Sequence, residues 1–105
     1  MNTSYTLITG ALGGLGSAFA YEFANQGKHL VLIDRALNAN ALENFLSANF
    51  AIQTHYFTCD LANQEARSCL FKKFQEEGYV FNGLVNVVGQ ELEGEFLSRT
   101  REEIY

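Results

Sequence analysis

Hydrophobic residues in this chain come in short continuous runs. Between the runs lie longer stretches in which they recur every three or four positions. The runs read as strands covered on both faces and the spaced stretches as amphipathic helices. Tyr5-Thr6-Leu7-Ile8 centres a first strand over Ser4 to Thr9. A helix follows from Gly14 to Gln26, with Leu15, Ala18, Phe19 and Phe23 as its buried face and Gly27 as a left-handed cap. His29 to Asp34 is a second apolar strand with an acid at its carboxyl end. Asn40-Ala41-Leu42-Glu43 has capping-box spacing and starts a helix to Asn49, with Leu42, Phe45 and Leu46 inward. Ala51 to Cys59 is a third strand, polar enough for a place near the sheet edge. Ala62 to Glu77 is a third helix, with Ala66, Cys69, Leu70 and Phe74 inward and Gly78 as its cap. Asn82 to Val88 is a fourth strand, ended by Gly89. Thr100-Arg101-Glu102-Glu103 has the spacing of a second capping box. The β-α-β-α-β-α-β order, with short connections, implies an α/β fold: a parallel sheet, helices on both faces, right-handed crossovers.

The turn between the first strand and first helix changes this from a fold to a candidate site. Thr9-Gly10-Ala11-Leu12-Gly13-Gly14-Leu15-Gly16 ends a strand and opens a helix. Such a turn aims free backbone N–H groups at a positive helix end, which suits phosphate. Gly10 permits the sharp turn, Gly14 lets a pyrophosphate approach backbone, and Gly16 lets the helix pack on the strand. Asp34 stands 18 residues beyond Gly16, at the end of the next strand. A carboxylate there accepts from the ribose hydroxyls of a dinucleotide and repels a 2′-phosphate, which points to NAD over NADP. Arg35 pulls the other way, since a guanidinium can grip that phosphate or lie on adenine, or it is equally a solvated loop residue. Asp60 could hold the adenine amino group, with Leu61 against the ring, or simply cap the third helix. Asn86, inside an apolar strand, needs partners and reads first as a tie between neighbouring backbones, with a place facing the cofactor as the alternative.

Composition sets limits. The chain has 105 residues, room for a single domain over 1–105. A net charge of −5 argues against nucleic acid and anionic membrane as partners. Glu91, Glu93, Glu95, Glu102 and Glu103 concentrate that charge near the end, as a solvated segment does. Cys59 and Cys69, ten apart, and the isolated His29 and His55 have no metal-site spacing. Cys59 reads as a small buried residue, and the absence of a disulfide pattern points to a reducing, cytoplasmic setting. The N-terminus shows no signal-peptide pattern, and no apolar run is long enough to span a bilayer.

At this point the chain resembles a known family. Thr9 to Gly16 is similar to the TGxxxGxG signature of the short-chain dehydrogenases/reductases. Cys59-Asp60-Leu61 resembles the family's adenine-pocket Asp-Leu, and Leu84 to Gly89 resembles its NNAG element, with Val87 and Val88 replacing Asn and Ala. Phe96 and Thr100 to Tyr105 resemble the usual continuation. The resemblance implies a Rossmann-like sheet of order 3-2-1-4 and a cofactor site of Gly10, Leu12, Gly13, Gly14, Leu15, Gly16, Asp34, Arg35, Asp60, Leu61 and Asn86. It also implies hydride transfer between NAD(P) and an alcohol or carbonyl. The family's Ser and Tyr-x-x-x-Lys would lie beyond Tyr105, so the fold is expected to be truncated and inactive alone. Four residues after Tyr5, Tyr21, Tyr56 and Tyr79 stand Thr9, Asn25, Asp60 and Gly83. A fourth strand left as an edge is expected to recruit a second copy, burying Leu84, Val85 and Val87. The other reading is a non-enzymatic module that acts by self-association or through a partner.

Overall fold

A computed structural model describes residues 3–37 and 40–87. The elements are β1 (Ser4–Thr9), α1 (Gly14–Asn25), β2 (His29–Asp34), α2 (Ala41–Asn49), β3 (Thr54–Thr58), α3 (Gln64–Glu76) and β4 (Val80–Asn86). All four strands run parallel in the order β3-β2-β1-β4. β3 is thus an edge, as its polarity suggests. The element order matches the hydrophobic rhythm. β3 and α3 are shorter than expected, and β4 begins and ends two residues early. Val88, Gly89, Phe96, the terminal glutamates and the Thr100 capping box lie outside the described residues.

The sheet is apolar on both sides because both are covered. Against α3, Tyr5, Leu7, Val31, Ile33 and Phe81 pack with Leu70, Phe71 and Phe74. Against α1 and α2, Ile8, Leu30 and Leu32 pack with Ala20, Ala24 and Leu46. Leu7, Ile8 and Leu30 to Ile33 have no exposed surface at all.

Three helix faces differ from the periodicity. On α1 the buried residues are Gly16, Ala20 and Ala24, while Leu15 and Phe19 are 61% and 36% exposed. Small residues win because they let the helix lie close on the sheet, and the larger ones are turned to the flank. On α2 Leu46 is buried, but Phe45 is exposed and stacks on Tyr21. On α3 Cys69 is exposed, and Arg67 and Phe71 are buried in its place.

The caps also differ in part. Gly27 and Gly78 adopt the expected left-handed conformation, at φ +80° and +74°. The Asn40 capping box does not form: the Asn40 amide donates to Glu43 Oε1 at 2.7 Å and caps no backbone group. Glu43 Oε2 instead accepts from the Tyr56 N–H at 2.9 Å, so α2 covers a donor on the outer edge of β3. Asp60 does not cap α3. Asn63 does, its side chain accepting from the Ala66 N–H at 3.0 Å.

Candidate dinucleotide site

The carboxyl ends of the four strands bring the candidate residues together. Thr9 pairs in register with Ile33 on one side and Asn86 on the other, and Asp34 pairs with Thr58. Strand order reverses direction between β1 and β4. In open parallel sheets, that switch point is where ligands enter.

The glycine turn lies at this end. Gly10 takes a φ of +66°, a left-handed conformation that a side chain would strain. Its carbonyl accepts from the Gly13 N–H at 3.2 Å, closing the turn. A Cβ on Gly16 would lie 2.1 Å from the Gly10 carbonyl oxygen and 2.9 Å from Ala11 Cα. These two glycines are demanded by the protein's own packing. The other two are not. A Cβ on Gly13 would make ordinary contact, and one on Gly14 would meet nothing within 4 Å. α1 has no side-chain cap and no acid in its first turn. Among the described residues the N–H groups of Gly14, Leu15 and Gly16 have no hydrogen-bond partner, while Ser17 donates to the Gly13 carbonyl at 2.9 Å. Three unused donors at an uncapped helix start, beside backbone that no side chain covers, fit an anionic group.

Asp34 is tied to this turn. Its Oδ2 accepts from the Leu12 N–H at 2.9 Å and its Oδ1 from the Arg35 N–H at 2.7 Å. Leu12 therefore spends its N–H on the acid and presents none to a ligand. A carboxylate has about four acceptor positions, so two contacts hold it in place and leave others for hydroxyl groups. The turn after it is also anchored. Tyr56 Oη and Thr58 Oγ1 both donate to the Ala36 carbonyl, at 2.7 and 3.1 Å. Burial pushes the Tyr56 phenol above its usual value; its Thr58 hydrogen bond opposes this, and the Asp34 charge adds to it. The Arg35 side chain extends from this turn and is exposed.

Asp60 and Leu61 follow β3, whose end is joined to β2 by the Cys59 N–H donating to the Asp34 carbonyl at 2.9 Å. Asp60 is exposed and shapes a turn, its Oδ1 accepting from the Ala62 N–H at 3.0 Å. Leu61 is 5% exposed and packs in the core beside Cys59, and its carbonyl accepts from Arg67 Nη1. Burial pushes the Cys59 thiol up, the Asp60 charge adds to this and Arg67 opposes it.

At the β1–β4 junction, Asn86 Oδ1 accepts from Thr9 Oγ1 at 2.7 Å, and Thr9 Oγ1 accepts from the Val87 N–H at 3.2 Å. Asn86 is thus the inter-strand tie its sequence position suggests. Thr9, fully buried, is a positioning residue that periodicity alone passes over. The signal for it was a hydroxyl directly before the first glycine. The described residues contain no group of three metal-ligating side chains, and none of their helices is long and apolar enough to cross a membrane.

Comparison with known proteins agrees with this geometry. The family profile described as short chain dehydrogenase matches residues 4–105. A very-long-chain 3-oxoacyl-CoA reductase of Vanderwaltozyma polyspora is 30% identical over 90 residues, 85% of this chain and 26% of that protein. Estradiol 17-beta-dehydrogenase 11 of Mus musculus is 38% identical over 85 residues, 79% of this chain and 28% of that protein. A metagenomic short-chain oxidoreductase solved in complex with NADP superposes with a TM-score of 0.68 at 26% identity, covering 82% of this chain and 39% of that one. The chain spans about a quarter of the length of the first of these relatives and under two fifths of the last. With a match that starts in β1 and runs to residue 105, the chain belongs to the short-chain dehydrogenase/reductase family of nicotinamide-dependent oxidoreductases and corresponds to its N-terminal portion.

Proposed function

We propose that residues 1–105 are the dinucleotide-binding domain of a short-chain dehydrogenase-type oxidoreductase acting on an alcohol or carbonyl. The observation that carries this is the hydrogen bond from Leu12 N–H to Asp34. It fixes the ribose-type acid of β2 against the middle of the glycine turn. The unused N–H groups after Gly13 would hold the pyrophosphate, with Gly14 giving it room. Asp34 would accept from the ribose hydroxyls, and Asp60 would meet the adenine amino group beside the Leu61 wall. Thr9 and Asn86 would keep β1 and β4 in register beneath the cofactor. When bound, the cofactor supplies the hydride chemistry. The chain's own part is to bind and orient it.

The Asp34 carboxylate favours NAD over NADP, because a 2′-phosphate would be brought against a negative charge already held in place. Arg35, the next residue in the chain, is a cation that could offset this. The 105 residues contain no Tyr-x-x-x-Lys, so the group that would exchange a proton with substrate oxygen is not among them, and alone they turn nothing over. The outer edge of β4, which no described strand pairs with, favours self-association of the isolated chain in a reducing, cytoplasmic setting.

Calorimetric titration with NAD and NADP tests the reading. NAD is expected to bind more tightly than NADP, and Asp34→Ala is expected to weaken NAD by about tenfold or more, the loss of a charge-assisted pair of hydrogen bonds. No heat with either cofactor at millimolar concentration would refute the cofactor reading in favour of a module that keeps only the fold. Steady NADH oxidation with a carbonyl panel, lost in Asp34→Ala, would refute the inactivity of the isolated chain.

A further inference from the structure

β3 carries two hydroxyl side chains on one face. Tyr56 and Thr58 are two residues apart and so share the face turned toward α1 and α2, while Phe57 between them faces α3. Thr58 stands in register with Asp34, the last residue of β2. The last main-chain tie between the two strands is the Cys59 N–H donating to the Asp34 carbonyl at 2.9 Å. Among the described residues, no backbone-to-backbone hydrogen bond involves Arg35, Ala36 or Leu37. Side chains hold this turn instead. The Ala36 carbonyl accepts from Tyr56 Oη at 2.7 Å and from Thr58 Oγ1 at 3.1 Å. A carbonyl oxygen has two lone pairs, and both are used. Tyr56 is itself fixed at its other end, its N–H donating to Glu43 of α2 at 2.9 Å.

These bonds decide how freely Arg35 moves. Before it, the Asp34 carboxylate accepts from the Leu12 N–H and from the Arg35 N–H. After it, the Ala36 carbonyl is held twice. The Arg35 backbone is thus fixed at both ends, and only its exposed side chain is left to turn. A guanidinium grips phosphate through a planar fork, so the direction in which the backbone sends it matters. Without the two hydroxyls, residues 35–37 lose their tie to β3. Asp34 keeps its bonds to Leu12 and Cys59. Loosening the turn therefore frees the cation and leaves the acid in place, and the two consequences separate on NADP and NAD.

We propose that Tyr56 and Thr58 are positioning residues for cofactor choice: by filling both lone pairs of the Ala36 carbonyl they hold Arg35 off a 2′-phosphate and keep the site selective for NAD. This rests on the proposed cofactor reading. Neither hydroxyl needs to meet the cofactor, because both act through the backbone of the turn.

The test uses the 105-residue chain, with NAD and NADP as probes and trypsin as a reporter of the turn. Trypsin cuts after arginine. The Arg35–Ala36 bond therefore reports the turn, and the bond after Arg67, buried on α3, reports global opening. In a double variant, Tyr56→Phe with Thr58→Val, native-state cleavage after Arg35 is expected to rise about tenfold or more relative to cleavage after Arg67, as the loss of two hydrogen bonds predicts. By calorimetry, the ratio of the NADP to the NAD dissociation constant is expected to fall about threefold or more, with NAD itself changed less than about twofold. Adding Arg35→Gln is expected to cancel the change in ratio. Thr58→Ser alone is expected to keep the parent's ratio and cleavage rate. An unchanged ratio in a variant whose turn is released would overturn the proposal. So would a change that persists with Arg35→Gln, cleavage at both bonds rising together, or a parent that binds NADP more tightly than NAD. If the parent binds neither cofactor, the proposed function fails and this role fails with it. A parent that prefers NAD, with the double variant unchanged, refutes this inference alone.

Discussion

Replacing Gly16 with alanine separates packing from ligand binding in the glycine turn. Glycine to alanine inside a helix ordinarily gains about 0.5–1 kcal/mol, because the unfolded chain loses freedom. At Gly16 the new methyl would sit 2.1 Å from the Gly10 carbonyl oxygen, 2.8 Å from its carbon and 2.9 Å from Ala11 Cα. All three are backbone atoms, so no side chain can rotate away, and α1 must lift off β1 by roughly 1 Å. Overpacking of this kind costs about 1–3 kcal/mol and outweighs the helical gain. A domain of this size has about 5–15 kcal/mol in all, so a net loss of about 1 kcal/mol is a measurable fraction of its stability. It corresponds to a Tm lower by about 4–8 °C. Gly14→Ala is the control, two residues away in the same turn of helix, with nothing within 4 Å of the added methyl. It is expected to leave Tm unchanged or raise it slightly. Thermal unfolding followed by circular dichroism decides the matter, with cofactor titration on the same proteins. Gly14→Ala is expected to weaken the cofactor without loss of stability. A Gly16→Ala protein as stable as the parent would refute the reasoning, because it would mean that α1 does not lie as close to the turn as the structure places it.

Two further outcomes are expected. Thr9→Val keeps the shape of a fully buried side chain but removes the donor to Asn86 and the acceptor for Val87, so urea unfolding should show a loss of about 1–3 kcal/mol. Thr9→Ser should recover most of it, and a Thr9→Val midpoint equal to the parent's would count against the β1–β4 tie. Burial holds the phenols of Tyr5, Tyr56 and Tyr79 above the usual value of about 10. Their contribution to stability is therefore complete below pH ~10 and lost as pH rises through the higher folded values. The urea midpoint should fall as pH rises above ~10, and fall less in Tyr5→Phe. Phenolate absorbance showing every tyrosine of the folded protein titrating near pH ~10 would refute this.

The strand positions were legible because β1 and β2 are covered on both faces, and such strands must be apolar almost throughout. The glycine turn was legible because left-handed backbone and close approach exclude other residues, and the local order strand, turn, helix, acid is written in the chain. Gly10, Gly16 and Asp34 follow from that, and the Asn86 tie follows from an amide set inside an apolar strand. Helix facing was not legible. Leu15, Phe19 and Phe23 have the spacing of a core face, yet Gly16, Ala20 and Ala24 occupy the sheet side, because how closely a helix lies on its sheet depends on strands distant in sequence. Cys69 on α3 was displaced outward by Arg67 and Phe71 for the same kind of reason. Asn40 and Glu43 carry capping spacing, but a neighbouring edge strand claims the Glu43 carboxylate. Local chemistry, turns and caps that need a particular φ, and the apolar runs belong to the sequence alone. Which face of each helix is buried, which edge is closed and which donor a carboxylate meets were decided by tertiary packing, where long-range neighbours compete for the same side chains.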